Sequence, residues 1–217
     1  MCRTPAVNGR PYRGGMAATD GNGWVDCRCG HRHWGRYGAA GLLLIRDGPL
    51  VHDGPLVHDG PLVHDGPLVH DGPLVHDGPP VHVGFIRTGP VAAPEVLLQL
   101  RASWTHEGGR WGLLGGARDS HEGVEQAALR EAAEEGGVEP GAVEVLGVLT
   151  GVDHVDWRYT YVLGIARAAL QPRPMTAESD ELRWVPLPDV PTLPLHHGLY
   201  SAWPGLTSGI NAALADA

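Results

Sequence analysis

The chain has 217 residues, 42% hydrophobic and 19% charged, which fits one domain with appendages or two very small ones. The formal net charge of −9 is uneven: Asp47–His82 carries six Asp and no Arg, and the other 181 residues set 19 acids against 16 Arg, a net of −3. That leaves no basic stripe for duplex nucleic acid, and the longest apolar run, Ala39–Ile45, is far too short to span a bilayer.

All the positive charges are Arg, which together with abundant Ala, Gly, Pro and Val reads as GC-rich coding rather than a functional choice. The three Cys, at positions 2, 27 and 29, do not build a disulfide framework and point to a reducing cytoplasm. Residues 1–22 are rich in Gly, Pro, Arg and Asn and read as a disordered tail, with Met16 as an alternative start. No apolar stretch follows the early arginines, which argues against a secretory signal. Residues 23–38 crowd Cys, His and aromatics together. Cys27-x-Cys29-x-His31-x-His33 offers four zinc-type ligands in seven residues, but a one-residue gap on a strand makes closure around a single ion awkward. A half-site of Cys27, Cys29 and His33 for Zn²⁺ stands against small buried thiols beside Trp24 and Trp34.

A foldable body of sequence runs over residues 39–206, interrupted at 47–82 and followed by a tail at 207–217. Ala39–Arg46 reads as a buried strand. Asp-Gly-Pro-Leu-Val-His then occurs five times from Asp47, with a sixth copy, Asp77–His82, carrying Pro80 for Leu. A proline every sixth residue removes a backbone donor each time, so the run reads as a solvated low-complexity insertion rather than a sheet. Its evenly spaced histidines could chelate metal weakly. Strands are expected at Glu95–Arg101, Val143–Thr150, Tyr159–Ala166 and Leu182–Val185, and a helix at Gly123–Glu135. A second helix is expected within Leu195–Ala202, stopping before Pro204, and Thr207–Ala215 is a further helical candidate.

The helix at Gly123–Glu135 carries the chemistry. It places Glu131, Glu134 and Glu135 at i, i+3 and i+4 on one face, where like charges repel by a few tenths of a kcal/mol per pair. They also sit at the helix C-terminus, where the dipole disfavours anions. A bound divalent cation reverses both penalties. An oxygen-only set suits Mg²⁺ or Mn²⁺, and the Gly115-Gly116 pair allows close backbone approach, with a carbonyl as a further ligand. Arg130 can hold a carboxylate through bidentate pairing.

Gly116, five residues, Glu122, seven residues, Arg130-Glu131-Ala132, one residue, Glu134-Glu135, one residue, Gly137-Val138 fills every position of the Nudix box. The chain therefore resembles the Nudix hydrolase family. Trp111-Gly-Leu-Leu-Gly-Gly leads into the box as in many members, although Leu114 stands where Pro is common, and Glu178-Ser-Asp-Glu-Leu-Arg-Trp-Val-Pro-Leu looks like the site-closing segment of MutT-type relatives.

The resemblance implies an α+β fold, an α/β/α sandwich around a mixed sheet. It implies hydrolysis of a phosphoanhydride bond in a nucleoside di- or triphosphate derivative by water, with Mg²⁺ or Mn²⁺. By position, Glu131, Glu134, Glu135 and the Gly115 carbonyl would be metal ligands, Arg130 would orient Glu131, and Glu122 would brace the box and sometimes help with metal. The general base varies within the family: Glu131 or Glu134, or an outside carboxylate, for which Glu178 is the candidate and Glu181 the rival. Trp104, Trp111, Trp157, Tyr159 and Tyr161 are possible base stackers, each weighed against ordinary core packing. Asp180 and Glu181 resemble the place where some relatives read a purine edge. A homodimer is one candidate assembly. The rival functional class is a catalytically idle Nudix-fold nucleotide sensor, which usually lacks one of the box carboxylates or the Arg; all are present here.

Overall fold

The computed structural model describes residues 20–47 and 93–215. The hexad repeat and the early tail lie outside the described residues.

Nine strands and two α-helices are described. A small antiparallel hairpin comes first, β1 (Trp24–Asp26) and β2 (Arg32–Trp34). The main sheet has seven strands: β3 (Ala39–Arg46), β4 (Glu95–Arg101), β5 (Trp111–Gly112), β6 (Leu114–Ala117), β7 (Val143–Asp153), β8 (Arg158–Ala166) and β9 (Ser179–Pro186). Helix α1 is Val124–Gly136 and helix α2 is His197–Ala215.

Strand β3 is the axis of the sheet. It runs parallel to β8 along its length, and its other edge is shared, with β6 pairing at Ala39–Leu42 and β4 at Ile45–Arg46. Strand β4 then continues outward against β9 and, at its far end, β5. The sheet is mixed, with β7 antiparallel to β8 at one side.

The apolar run of β3 is buried on both sides, and the two-residue period of a strand divides it between two cores. Leu43 and Ile45 join Val96, Leu98 and the α2 residues Leu199, Trp203, Leu206 and Ile210. Ala40, Leu42 and Leu44 face the other way, onto Leu97 and the α1 residues Ala127, Ala128 and Ala132. The layers are thus helix, sheet, helix, and the fold is the expected α/β/α sandwich. Small alanines on α1 let its backbone lie close to the sheet, which draws the carboxylates at its end toward β6.

Two expectations change. The C-terminal helix does not stop before Pro204: α2 passes through it. A helix-interior proline costs about 3 kcal/mol, but Leu199, Trp203, Leu206 and Ile210 form one buried face that straddles it, and burying such side chains returns roughly 1.5–3 kcal/mol each. The cysteines do not lie on a strand either. They occupy the turn between β1 and β2, so strand alternation does not govern their directions. Strands β5 and β6, the latter Leu-Gly-Gly-Ala, were not expected, because glycine-rich stretches carry no strand periodicity. Among the described residues no helix is long and apolar enough to cross a membrane.

Candidate active site

Helix α1 starts at Gly123, whose N–H is held by Gln126 Oε1 at 2.9 Å. It ends at Gly137, which takes φ 64° as the left-handed cap and donates back to Ala133 O at 3.0 Å. Only glycine adopts that conformation at no steric cost, so the Gly-Gly pair ends the helix just after Glu134 and Glu135. Gly116 on β6 meets a second constraint: a Cβ there would fall 2.6 Å from Glu131 Oε1. Glycine at 116 is what lets the Glu131 carboxylate lie against the strand.

Arg130 organises the box. Its Nε donates to Glu122 Oε1 at 2.7 Å and its Nη2 to Glu122 Oε2 at 2.9 Å, a bidentate pair. Nη2 also reaches the Ala117 carbonyl at 3.0 Å, while Nη1 donates to Glu131 Oε1 at 2.9 Å and Glu134 Oε2 at 3.3 Å. One guanidinium therefore ties the strand, the loop and the helix together. Glu122 also accepts the Asp119 N–H through Oε2 at 3.1 Å. Both Glu122 oxygens are thus engaged, and its geometry is that of a brace for Arg130 rather than of a ligand facing a cavity.

The carboxyls differ in how far they are compensated. The Glu122 carboxyl is held below its ordinary range by the Arg130 hydrogen bonds. Burial pushes Glu131 up despite Arg130. Burial, with Glu131 and Glu178 nearby, pushes Glu135 up to about 8. Glu135 Oε2 accepts from the Gly115 N–H at 3.2 Å and from Gln99 Nε2 at 3.4 Å. Gln99 is wholly buried on β4, bonds Ser179 Oγ at 2.6 Å, and leaves its Oε1 buried without a hydrogen-bond partner among the described residues. Buried carboxyls that resist ionising unaided, with only oxygens on the helix face, suit a hard divalent cation.

These groups open into a cavity of about 730 Å³, within the usual range for a small-molecule site. Gly115, Gly116, Arg130, Glu131, Glu134 and Glu135 form its acidic floor, and Glu178, on the approach to β9, faces them. Aromatic rings line it as well: Trp24, Trp34 and Trp157, along with Tyr159 and the exposed Trp104.

Not every candidate reaches the cavity. Trp111 is 5% exposed and packs in the α2-side core under the Arg183 guanidinium, 4.8 Å from its ring centre. Tyr161 belongs to the same core and donates its hydroxyl to the Gly198 carbonyl at 3.3 Å. Asp180 and Glu181 do not line the cavity; Glu181 pairs with Arg183 at 2.7 Å. Sequence reasoning missed Gln99, Arg101, His106 and His196. Only Gln99 had a signal, a polar residue at an inward position of the apolar strand Val-Leu-Leu-Gln-Leu.

The hairpin contributes Trp24, Arg32, His33 and Trp34 to the cavity lining. Trp157 Nε1 donates to the Trp34 carbonyl at 3.0 Å, and the Arg28 side chain clasps Asp156 at 2.8–3.1 Å. At its base, Gly21 N–H donates to Asp119 Oδ1 at 2.7 Å, joining the segment to the box loop.

The NUDIX domain family model matches residues 78–203. A protein of Mycobacterium tuberculosis bearing the name "Putative 8-oxo-dGTP diphosphatase 3" is 40% identical over 189 residues, which cover 85% of this chain and 68% of that protein. A "Nucleoside triphosphate pyrophosphatase/Nudix hydrolase fusion protein" of Bifidobacterium longum is 34% identical over 186 residues, 85% of this chain and 30% of the fusion. The crystal structure of a Nudix hydrolase from M. smegmatis, RenU, aligns with a TM-score of 0.66 at 35% identity, covering 88% of this chain and 96% of that one. With the box filled at every position and its carboxylates gathered at one cavity, the chain belongs to the NUDIX domain family and is a Nudix pyrophosphohydrolase.

Proposed function

We propose that the enzyme is a Mg²⁺- or Mn²⁺-dependent pyrophosphohydrolase of nucleoside triphosphates, with a purine oxidised at C8 as the first base to try. The observation that carries this reading is the convergence of Glu131, Glu134 and Glu135 on a cavity that several aromatic rings also line. A triphosphate needs the acidic floor, through metal, and a planar base needs the aromatic rings. The 40% identical mycobacterial protein, by its name an 8-oxo-dGTP diphosphatase, supports the choice of base.

Glu131, Glu134, Glu135 and the Gly115 carbonyl would hold the metal. When bound, it neutralises the pyrophosphate and lowers the pKa of the attacking water. The chain's own groups do the rest. Arg130 keeps Glu131 and Glu134 in fixed orientation, and Glu122 keeps Arg130 in place. Glu178, across the floor, is our candidate for taking the proton of the water, because it faces the cavity while Glu181 is paired with Arg183. Trp157 and Tyr159 would stack on or border the base. The low cysteine count supports a cytoplasmic enzyme.

The test is Mg²⁺-dependent phosphate release, after a coupled phosphatase, from (d)NTPs, 8-oxo-dGTP, ADP-ribose, nucleotide sugars and dinucleotides. Turnover of triphosphates, greatest with the oxidised purine and abolished in both Glu134→Gln and Glu135→Gln, is the expected result. Turnover confined to ADP-ribose, sugars or dinucleotides overturns the substrate assignment. A folded protein that binds a nucleotide tightly without turnover overturns the metal-dependent reaction itself.

A further inference from the structure

The turn of the hairpin holds a cluster that pyrophosphate hydrolysis does not use. Cys27 and Cys29 Sγ and a ring nitrogen of His33 all lie within 4.8 Å of one another. His33 Nε2 is 3.1 Å from Cys29 Sγ, so a nitrogen edge of the ring, rather than its carbon edge, meets the thiol. The turn itself brings the thiols together. Cys27 N–H donates to the His31 carbonyl and Gly30 N–H to the Cys27 carbonyl, both at 3.0 Å, with Gly30 at φ 89°. The Cys29 N–H points at Cys27 Sγ from 3.5 Å, a donor that favours a thiolate there. Two sulfurs and an imidazole form a soft set, unlike the oxygens of the box, and such a set selects Zn²⁺ over Mg²⁺.

We propose that Cys27, Cys29 and His33 bind one Zn²⁺ ion, and that this ion fixes the hairpin's share of the aromatic lining of the substrate cavity. Three protein ligands leave the fourth tetrahedral position to solvent. The link to the cavity is direct. The His33 ring stacks on Trp157 at 4.4 Å and 12° and on His154 at 4.8 Å and 22°. His33, Trp34 and Trp157 all line the cavity. Holding the His33 ring therefore holds the surface against which Trp157 is set. This second half rests on the nucleotide-hydrolase reading, so its test avoids turnover.

The experiment titrates the full, phosphine-reduced chain with Co²⁺ and then Zn²⁺. One equivalent of Co²⁺ should give thiolate-to-metal charge-transfer absorption that one equivalent of Zn²⁺ removes. The band should be absent from the Cys27→Ser/Cys29→Ser variant and altered in His33→Gln. The six repeat histidines carry no thiolate and cannot produce it. No band in the wild type, or one unchanged in the double variant, overturns the site. Should that variant not fold, alkylation of the wild type decides: Zn²⁺ should slow labelling of Cys27 and Cys29 but not of Cys2, and equal labelling with and without Zn²⁺ overturns it. For the cavity half, Zn²⁺ should slow amide exchange in residues 21–37 and 153–158. Stoichiometric binding with unchanged exchange there would sink that half alone.

Discussion

The box and the hairpin both bring ligating side chains to one cavity, and they are built in opposite ways. The box is local in sequence and heavily cross-tied: one guanidinium joins Glu122, Glu131, Glu134 and the Ala117 carbonyl. It lies on a helix packed into the core through Ala127, Ala128 and Ala132. The hairpin is a two-stranded sheet of its own, joined to the body by the Arg28–Asp156 clasp, ring stacking and a few backbone bonds. Two-stranded ribbons are marginal alone. The difference teaches that reaction geometry is placed where tertiary packing fixes it, while the surface that meets the variable part of a substrate is placed where few contacts must change for it to adjust.

That contrast is open to breakage, first at the box. Glu134→Gln and Glu135→Gln should each lower turnover by roughly 100-fold or more while leaving the circular dichroism spectrum unchanged, since loss even of a group that merely orients a metal ligand costs about 10–100-fold. A variant retaining a tenth of the activity would show that the floor is not where the chemistry occurs. Arg130→Lys comes next: a point charge cannot span Glu122, Glu131 and Glu134 as the planar fork does. Turnover should fall about 10–100-fold, with melting temperature lowered as well because the brace between loop and helix is lost.

A third test concerns pH in the metal-free protein. Burial raises Glu135 from the ordinary 4.5 to about 8. A carboxyl raised on folding contributes stability that is full below its unfolded value and lost as pH rises through the folded one. Stability measured with urea in a chelator should therefore fall between about pH 5 and 8, and saturating Mg²⁺ should flatten the profile. A chelated profile that rises across this window would mean the charged floor is already compensated by the protein. The smallest effect belongs to the hairpin. Arg28→Ala should leave kcat and the melting temperature unchanged while raising KM a few-fold; an equal loss in kcat would show that the hairpin is as tightly coupled to the reaction as the box.

Much of this was legible in the sequence, and the reasons differ by element. Strands β3 and β4 carry short apolar runs, broken only by Gly41 and Gln99, and their bounds read off directly as Ala39–Arg46 and Glu95–Arg101. Helix α1 could be placed to within a residue because its glycines mark both ends. What could not be read were features decided by distant packing. The continuity of α2 through Pro204 depends on a buried face against the sheet, and the inwardness of Trp111 depends on Arg183 covering it. Trp157 and Tyr159 reach the cavity while Tyr161, two residues on and on the same face of β8, is buried in the α2-side core, a difference of depth along the strand that side-chain alternation does not give. The geometry of Cys27 and Cys29 could not be read for a different reason: the spacing argument assumes a strand, and the two thiols lie in a turn that brings them within 4.8 Å of each other.

The strands that flank residues 47–94, the stretch containing the hexad insertion, meet at a fixed seam. Arg46 and Glu95 are antiparallel partners, and their side chains pair at 2.6 Å. Whatever length of chain is spliced between them, the seam presents the same two strand ends to the sheet. Closure cost grows only logarithmically, about 0.6 kcal/mol for each doubling of the connection, so gaining or losing one six-residue unit is nearly free. Replication slippage across such a tract, always in multiples of eighteen nucleotides, could lengthen or shorten the gene product repeatedly while selection on the fold took no notice.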